Sequence, residues 1–439
     1  MLIPSLHLIR LSAAVLLPAA AVAGLVPGAA GLAVAVIIAF ALVAAWDAQR
    51  GLGRLDDLEL TLPPVLRFTL GHPGTIPVRM RTAHPRARRV EAALALPGAL
   101  ETETWTQSVQ IAATTDPLQF QWRVLPRERG RHRIDWVHVE TDSPQSLWAV
   151  RRKIPQSTEA RIYPDLFRER AAAAVFLNRG GAGIHSQRQI GQGREFEKLR
   201  DYTHQDPVGD IHWKATAKRG RPVTKVFQIE RTQEVYVVLD ASRLSARVSG
   251  EESDFERSLR SGLLLAAAAE RQGDLFGVVA FDSRVRAWVR SGRGRDHFAA
   301  CREALFGLQP QRVSPDFTEV CTTLRLRLRR RALLVVLTAL DDPVLAEEFS
   351  RSIRLLSGHH LVLVVQPRPN GARALFSGSS VVTDDDVYAE LGGHVRWQRL
   401  RLLEQELRLQ NVRFSLAESE ALASTVLHQY FAVRQRQLL

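Results

Sequence analysis

From Leu11 to Trp46 the chain carries no charged residue, a run of 36 positions made mostly of Ala, Val, Leu and Ile. As one straight helix it would be about 54 Å long, well beyond the roughly 30 Å hydrocarbon core of a bilayer. Pro27-Gly28 sits mid-run and is a natural turn. Two spans, near 10–26 and 29–46, fit better. A chain in lipid must satisfy its own backbone groups, so the run predicts a transmembrane helical hairpin. Arg10 precedes it and Arg50 and Arg54 follow it, which places both flanks on the cytoplasmic side. A secretory signal peptide is the competing reading, because Ala21-Val22-Ala23 before Gly24 resembles a cleavage site. The second apolar span favours the hairpin.

Beyond the hairpin, β-rich runs at Leu58–Leu62, Thr75–Arg81, Val90–Leu96, Leu118–Val124 and Ile134–Glu140 are punctuated by Pro63-Pro64, Pro97-Gly98, Asp116-Pro117 and Arg129-Gly130. This spacing predicts a small antiparallel β-sandwich over 48–155. Trp105, Trp122, Trp136 and Trp148 are read there as core and edge packing. Residues 156–233 form a linker with a helix to about Asn178, a Gly-rich loop Arg179–Gly193, and a dense polar stretch. From Val235, apolar strands alternate with amphipathic helices, which predicts a parallel, doubly wound α/β domain over 234–439. The whole is an α+β multidomain chain with the hairpin at 1–47.

Charge narrows the function. The formal net charge is +13, and of the 59 basic residues only five are Lys. Residues 48–155 hold 16 basic and 11 acidic side chains, 161–233 hold 14 and 8, and 234–439 hold 28 and 25. The excess is densest in the middle segment, which suggests nucleic acid, but it forms no basic tail and the membrane hairpin weighs against such a partner. Two cysteines, Cys301 and Cys321, exclude a disulfide scaffold and a thiolate zinc site.

Ligands of open parallel sheets sit at the carboxyl ends of the strands. There the sequence places Asp240 and Ser242, with Asp282, Asp316, Thr318, Asp341 and Asp342 after or between later elements. Such oxygens suit a hard cation, Mg²⁺ or Mn²⁺. The same residues are also ordinary turn formers and N-caps. No Walker A loop, His-Glu-x-x-His or Gly-x-Ser-x-Gly elbow occurs. Glu195, Asp201 and Asp206 could serve as acid–base groups, but their basic neighbours make structural ion pairs the simpler reading. The chain is therefore expected not to be an enzyme.

The middle stretch reads Gly193-Arg194-Glu195-Phe196, Leu199-Arg200-Asp201-Tyr202, Asp206-Pro207, then Asp210-Ile211-His212-Trp213-Lys214-Ala215. It resembles the bacterial membrane-protein family called domain of unknown function 58, with His212 where Asp is usual. Arg161-Ile162-Tyr163-Pro164, Arg129-Gly130-Arg131, Ser143-Pro144, Val238–Arg243 and Tyr430-Phe431 add to the resemblance, which spans nearly the whole chain. It implies that the α/β unit is von Willebrand factor A-like. It also implies a membrane-anchored adaptor in the bacterial inner membrane, with cytoplasmic soluble domains, partnering a MoxR-type AAA+ ATPase in assembly or quality control. The signature residues would be the docking segment. The alternative is a divalent-cation-dependent ligand-binding module. Against the A-domain metal motif, Asp240 and Ser242 match, Leu244 stands where a Ser is expected, Thr318 is a candidate Thr, and Asp341 lies two residues past the expected Asp.

Overall fold

In a computed structural model the protein is described over residues 1–26, 28–83, 88–111, 116–166, 190–203, 208–228, 233–249, 252–375, 377 and 383–436. The expected linker helix and most of the Gly-rich loop, together with Pro27 and Asp206, lie outside those residues. The chain divides into two compact units, Met1–Asp165 and Leu166–Leu439.

The first unit opens on a short strand, β1 (Leu2–Pro4), followed by two apolar helices, α1 (Leu6–Leu25) and α2 (Ala30–Gly51). Both are long and apolar enough to cross a membrane, and only 6% and 17% of their apolar windows are buried within the protein. A core helix of a soluble domain would be covered; these leave Leu17, Leu25, Leu32 and Leu42 exposed. Gly28 turns the chain between them at φ +98°, a conformation open to glycine at little cost.

Two sheets follow. One pairs β1 with the long strand β10 (Trp148–Tyr163), then β9 (Gly130–Asp142), β5 (Arg88–Leu94) and β7 (Gln107–Ile111), with β3 (Val65–Thr69) parallel to β10. The other orders β2 (Leu58–Thr61), β4 (Gly74–Thr82), β8 (Leu118–Pro126) and β6 (Leu100–Glu101). Alternate residues turn inward, Ile76, Val78 and Met80 from one sheet and Ile134, Val137 and Val139 from the other, around a fully buried Trp122. Strands β3 and β7 escape the sequence reading because their alternation is short. Strand β10 runs past residue 155, beyond which the sequence shows a linker. Of the other tryptophans, Trp105 is exposed and Trp136 lies under the Lys153 ammonium at 4.0 Å.

Both ends of the helical hairpin are gripped by one turn, Ser143–Trp148. Asp47, fully buried near the end of α2, accepts hydrogen bonds from the Ser143 hydroxyl and from Gln145 N at 2.9 Å. Trp148 Nε1 donates to the Ala44 carbonyl at 2.8 Å. Gly51 packs so close that an added Cβ would meet Ser143 and Val150 at 3.3 Å. On the α1 side, Ser5 N donates to the Leu147 carbonyl at 3.0 Å and Ser5 Oγ to the Ser146 carbonyl at 2.6 Å.

The second unit carries a two-stranded ribbon, β11 (Ile190–Asp201) with β12 (Val223–Gln228), joined through α3 (Trp213–Arg219). A six-stranded sheet follows. Its central strands are β13 (Glu234–Asp240), β14 (Leu275–Phe281), β16 (Leu333–Leu337), β17 (Leu361–Pro367) and β18 (Val412–Ala417), all parallel, in the order β14-β13-β16-β17-β18. The edge strand β15 (Val285–Gly292) is antiparallel to β14. Successive residues of β13 face opposite ways. Val235, Val237 and Leu239 meet α4 (Asp254–Arg271), α5 (Arg295–Phe306) and α9 (Leu422–Gln435). Tyr236 and Val238 meet α6 (Phe317–Arg327), α7 (Pro343–Ser357) and α8 (Asp384–Leu409). Apolar side chains cover both faces, which is why the strands read as unbroken hydrophobic runs. Tyr236 lies across Gly277, where a Cβ would come within 2.3 Å of its ring, and its hydroxyl accepts Ser291 N at 3.0 Å, tying in β15. Helix α9 closes the unit: Tyr430 donates to the buried Asp274 carboxylate at 2.5 Å and Arg434 pairs with it at 2.7 Å.

The Asp47 junction makes a testable demand. Asp47→Ala leaves the buried Ser143 hydroxyl and the part-buried Gln145 N–H without their acceptor, a loss of about 3 kcal/mol. For a unit of this size the detergent-solubilised protein should unfold about 6–12 °C lower. Asp47→Asn, which keeps one acceptor oxygen, should lose less; thermal unfolding identical to wild type for both would contradict the junction's role.

Candidate functional site

The signature residues fold as one small construction. Gly193, Arg194, Glu195 and Phe196 lie on β11 rather than in a loop, with Glu195 opposite Gln228 and Phe196 opposite Phe227. Leu199, Arg200 and Asp201 continue the ladder opposite Lys225, Thr224 and Val223. Tyr202 N closes it on the Pro222 carbonyl at 3.0 Å. Asp210 ends a single 3₁₀ turn, Val208–Asp210, and Ile211 forms a bridge to Thr224.

His212 then starts α3. Its Nδ1 accepts Ala215 N at 3.0 Å, and its own backbone N–H donates to the Val223 carbonyl at 2.8 Å. An Asp at this position caps a helix with a carboxylate oxygen; the imidazole here does so with an unprotonated ring nitrogen. At the other end Gly220 takes φ +67° and donates to the Thr216 carbonyl at 2.9 Å. Thr216 Oγ1 accepts Val223 N at 3.1 Å, and Arg221 pairs with Asp201 at 3.1 Å. These bonds pin a seven-residue helix to the ribbon. What it presents outward is Trp213, 67% exposed, beside the exposed Lys214, Lys218 and Arg219, with Val208 also bare nearby in sequence and Ala215 half-buried.

The candidate cation residues are placed differently from one another. Asp240 is fully buried at the carboxyl end of β13; it accepts Thr338 Oγ1 at 2.6 Å and Ser242 N at 2.8 Å. Ser242 Oγ accepts Leu244 N at 3.3 Å. Thr318 shares a hydrogen bond with Ser352 at 3.0 Å, and Asp341 pairs with Arg247 at 2.5 Å. Thus Asp240, Ser242 and Thr338 come together, while Thr318 and Asp341 bond to other partners. A hard cation requires about six oxygens, and this set is short of them. The Asp282 carboxylate, at the end of β14, pairs with Arg286 at 3.4 Å and caps its own turn through Arg284 N at 3.1 Å. Thr338 was legible only as a strand terminus; its contact with Asp240 links residues 98 apart, beyond any local pattern.

Burial pushes the Asp240 carboxyl above its ordinary value, against the hydrogen bonds from Thr338 and Ser242. Among the described residues no cationic side chain pairs with it. The cysteines carry no nucleophile. Burial pushes both thiols up to about 12. Cys301 Sγ does lie 3.6 Å from His297 Nε2, an i, i+4 helix pair the sequence reading passed over. His297 Nε2 is 2.6 Å from the Phe276 carbonyl, so that nitrogen carries the proton and is no base toward the thiol.

Residues 198–394 match the profile of a family described as "Protein of unknown function DUF58", and the chain resembles that family. The match begins just after Gly193–Phe196 and ends within α8. No curated protein matches. Among solved structures, a protein of unknown function from Porphyromonas gingivalis W83 aligns at 11% identity with a TM-score of 0.18, over 25% of this chain and 49% of its own. Proximal thread matrix protein 1 from the mussel byssus aligns at 11% identity with a TM-score of 0.26, over 46% of each chain. The chain spans about half the length of these solved chains.

The rim around Asp240 has a signed pH response. Its folded pKa is raised, so the folded chain binds more protons than the unfolded chain between the two values. The group's contribution to stability is full below its unfolded pKa and is lost as pH rises through the folded one. Asp240→Asn removes that loss. Without added metal, the variant should unfold at the same or a higher temperature than wild type at pH 7.5, with the advantage shrinking toward about pH 4. A marked destabilisation of the variant at pH 7.5 would show that the ionised carboxylate is needed.

Proposed function

We propose that this chain is a membrane-anchored, non-enzymatic interaction protein of the bacterial inner membrane, with α3 and its ribbon as the docking element. The observation that carries the reading is Trp213: a large aromatic, two-thirds exposed, on a helix too short to be rigid alone yet fixed by His212, Thr216 and Gly220. An exposed Trp rimmed by cations is the composition of an interface hot spot. The partner we assign is a AAA+ ATPase of the MoxR type, in assembly or quality control at the envelope; this rests on the resemblance. The same resemblance supports reading the second unit as von Willebrand factor A-like, a doubly wound sheet with Asp240 at its carboxyl edge.

Support for the anchor comes from the two uncovered apolar helices and from β1, which a signal peptidase cutting after Ala23 would remove from its sheet. Arg10, Arg50 and Arg54 favour cytoplasmic soluble units.

A second reading, cation-dependent ligand binding through Asp240 and Ser242, is supported by a buried carboxylate with no cationic partner among the described residues. Mg²⁺ or Mn²⁺ should then raise the unfolding temperature of wild type and not of Asp240→Ala; no shift in either ends that reading.

Co-purification from solubilised membranes tests the main reading. Trp213→Ala should cut recovery of the ATPase at least about 30-fold, the loss of a hot spot worth about 2 kcal/mol, while leaving thermal stability unchanged. Arg194→Ala should weaken it as well. Undiminished recovery with both variants contradicts the proposal. For the topology, a fluorescent reporter fused at the C-terminus should be active in the cytoplasm, whereas a periplasmic alkaline phosphatase fusion there should be silent. The reverse pattern would overturn the orientation.

A further inference from the structure

At the amino ends of β16, β17 and β18 the sheet opens onto a cavity of about 820 Å³. This is the edge opposite the one that holds Asp240, and it takes no part in the docking element. Four guanidinium groups line it: Arg331 before β16, Arg408 near the end of α8, Arg413 on β18 and Arg436 after α9. Among the described residues none of the four makes an ion pair or a side-chain hydrogen bond. The one carboxylate on the wall, Glu404, is already paired with Arg401 at 2.7 Å.

His360 lines the cavity and is 97% buried, being only 3% exposed. Its Nδ1 accepts Ala332 N at 3.3 Å, so its proton sits on Nε2, and that buried donor has no partner among the described residues. That nitrogen has almost no accessible surface, so it is closed off from the cavity and the arginines carry the recognition. Burial, with the charges of His359, Arg325 and Arg331 adding to it, pulls the imidazole down to about 4, so it adds no cation to the wall at physiological pH.

Arginines near helix C-termini have an ordinary use, offsetting the negative end of the dipole. Three helices, α7, α8 and α9, end at this cavity. Each C-terminus is equivalent to about half a negative charge, so together they offset fewer than two of the four cations. Positive charge remains. The guanidinium fork matches the paired oxygens of phosphate, and more than one such fork fits a ligand of more than one charge. The volume falls in the range of small-molecule sites and is larger than a single phosphate needs.

We infer that this cavity binds a small, multiply charged, phosphate-bearing ligand, held by Arg331, Arg408, Arg413 and Arg436. Binding there is independent of the docking helix and of the Asp240 rim.

The test is calorimetric titration of inorganic pyrophosphate into the full chain in detergent, at constant ionic strength set with NaCl, with citrate as the comparison anion. Pyrophosphate should bind with a Kd tighter than about 1 mM and raise the unfolding temperature. Arg408→Ala with Arg413→Ala should weaken it at least about tenfold, and Arg413→Lys, which keeps the charge and loses the fork, should weaken it less. Arg331 and Arg408 are exposed, so Arg331→Ala gives a folded control that should also weaken binding. Trp213→Ala should bind as wild type does. No heat at about 10 mM pyrophosphate, equal binding by the arginine variants, or citrate binding as tightly as pyrophosphate would overturn the inference.

Discussion

A buried carboxylate ties the apolar helices of the first unit to its sandwich. Asp47 is the first charged residue after 36 uncharged ones, and it is spent inside the protein on Ser143 and Gln145. It acts together with the Trp148 Nε1 and Ser5 hydroxyl bonds and the close packing of Gly51. With it, the turn Ser143–Trp148 fixes where α2 ends and, through Ser5, where α1 begins. The helices leave most of their surface uncovered and are long and apolar enough to cross a membrane.

The second unit separates its chemistry by edge. The carboxyl edge gathers Asp240, Ser242 and Thr338 in a buried, fully hydrogen-bonded knot. Burial raises the Asp240 carboxyl, so this knot resists ionisation. The amino edge gathers uncompensated cations. Between them the apolar layers on both faces make the sheet a stiff platform. The ribbon and α3 are built by other means, a register of backbone bonds with two caps, which suits an element that presents one aromatic side chain outward.

Much of this was legible in the sequence. The uncharged run was readable as two helices because its length and composition suit two spans with a turn between them. The strands of the α/β unit were readable because both faces are buried and the runs are unbroken; Leu275–Phe281 and Asp384–Leu409 fall at the expected residues. The sandwich was read less completely, since β3 pairs with β10, a strand far along the chain. The antiparallel setting of β15 depends on Tyr236 reaching over Gly277 to Ser291, a tertiary event without a local pattern. For the sites, the signature's form was not legible: Gly193 sits in a strand and His212 is a cap. Thr318 and Asp341 looked equivalent to Ser242 by residue type, and only geometry shows that their oxygens go to Ser352 and Arg247. The cavity at the amino edge was invisible, because its arginines are scattered over a hundred residues.

The account centres on α3 as the surface that meets a partner at the membrane. Site-specific photo-crosslinking in intact membranes tests this most directly, with the photoreactive residue at position 213 and a control at position 344, which is equally exposed on α7. The account predicts a crosslink from position 213 to a AAA+ ATPase and none from position 344. A crosslink of equal yield from both positions, or from neither, would contradict it.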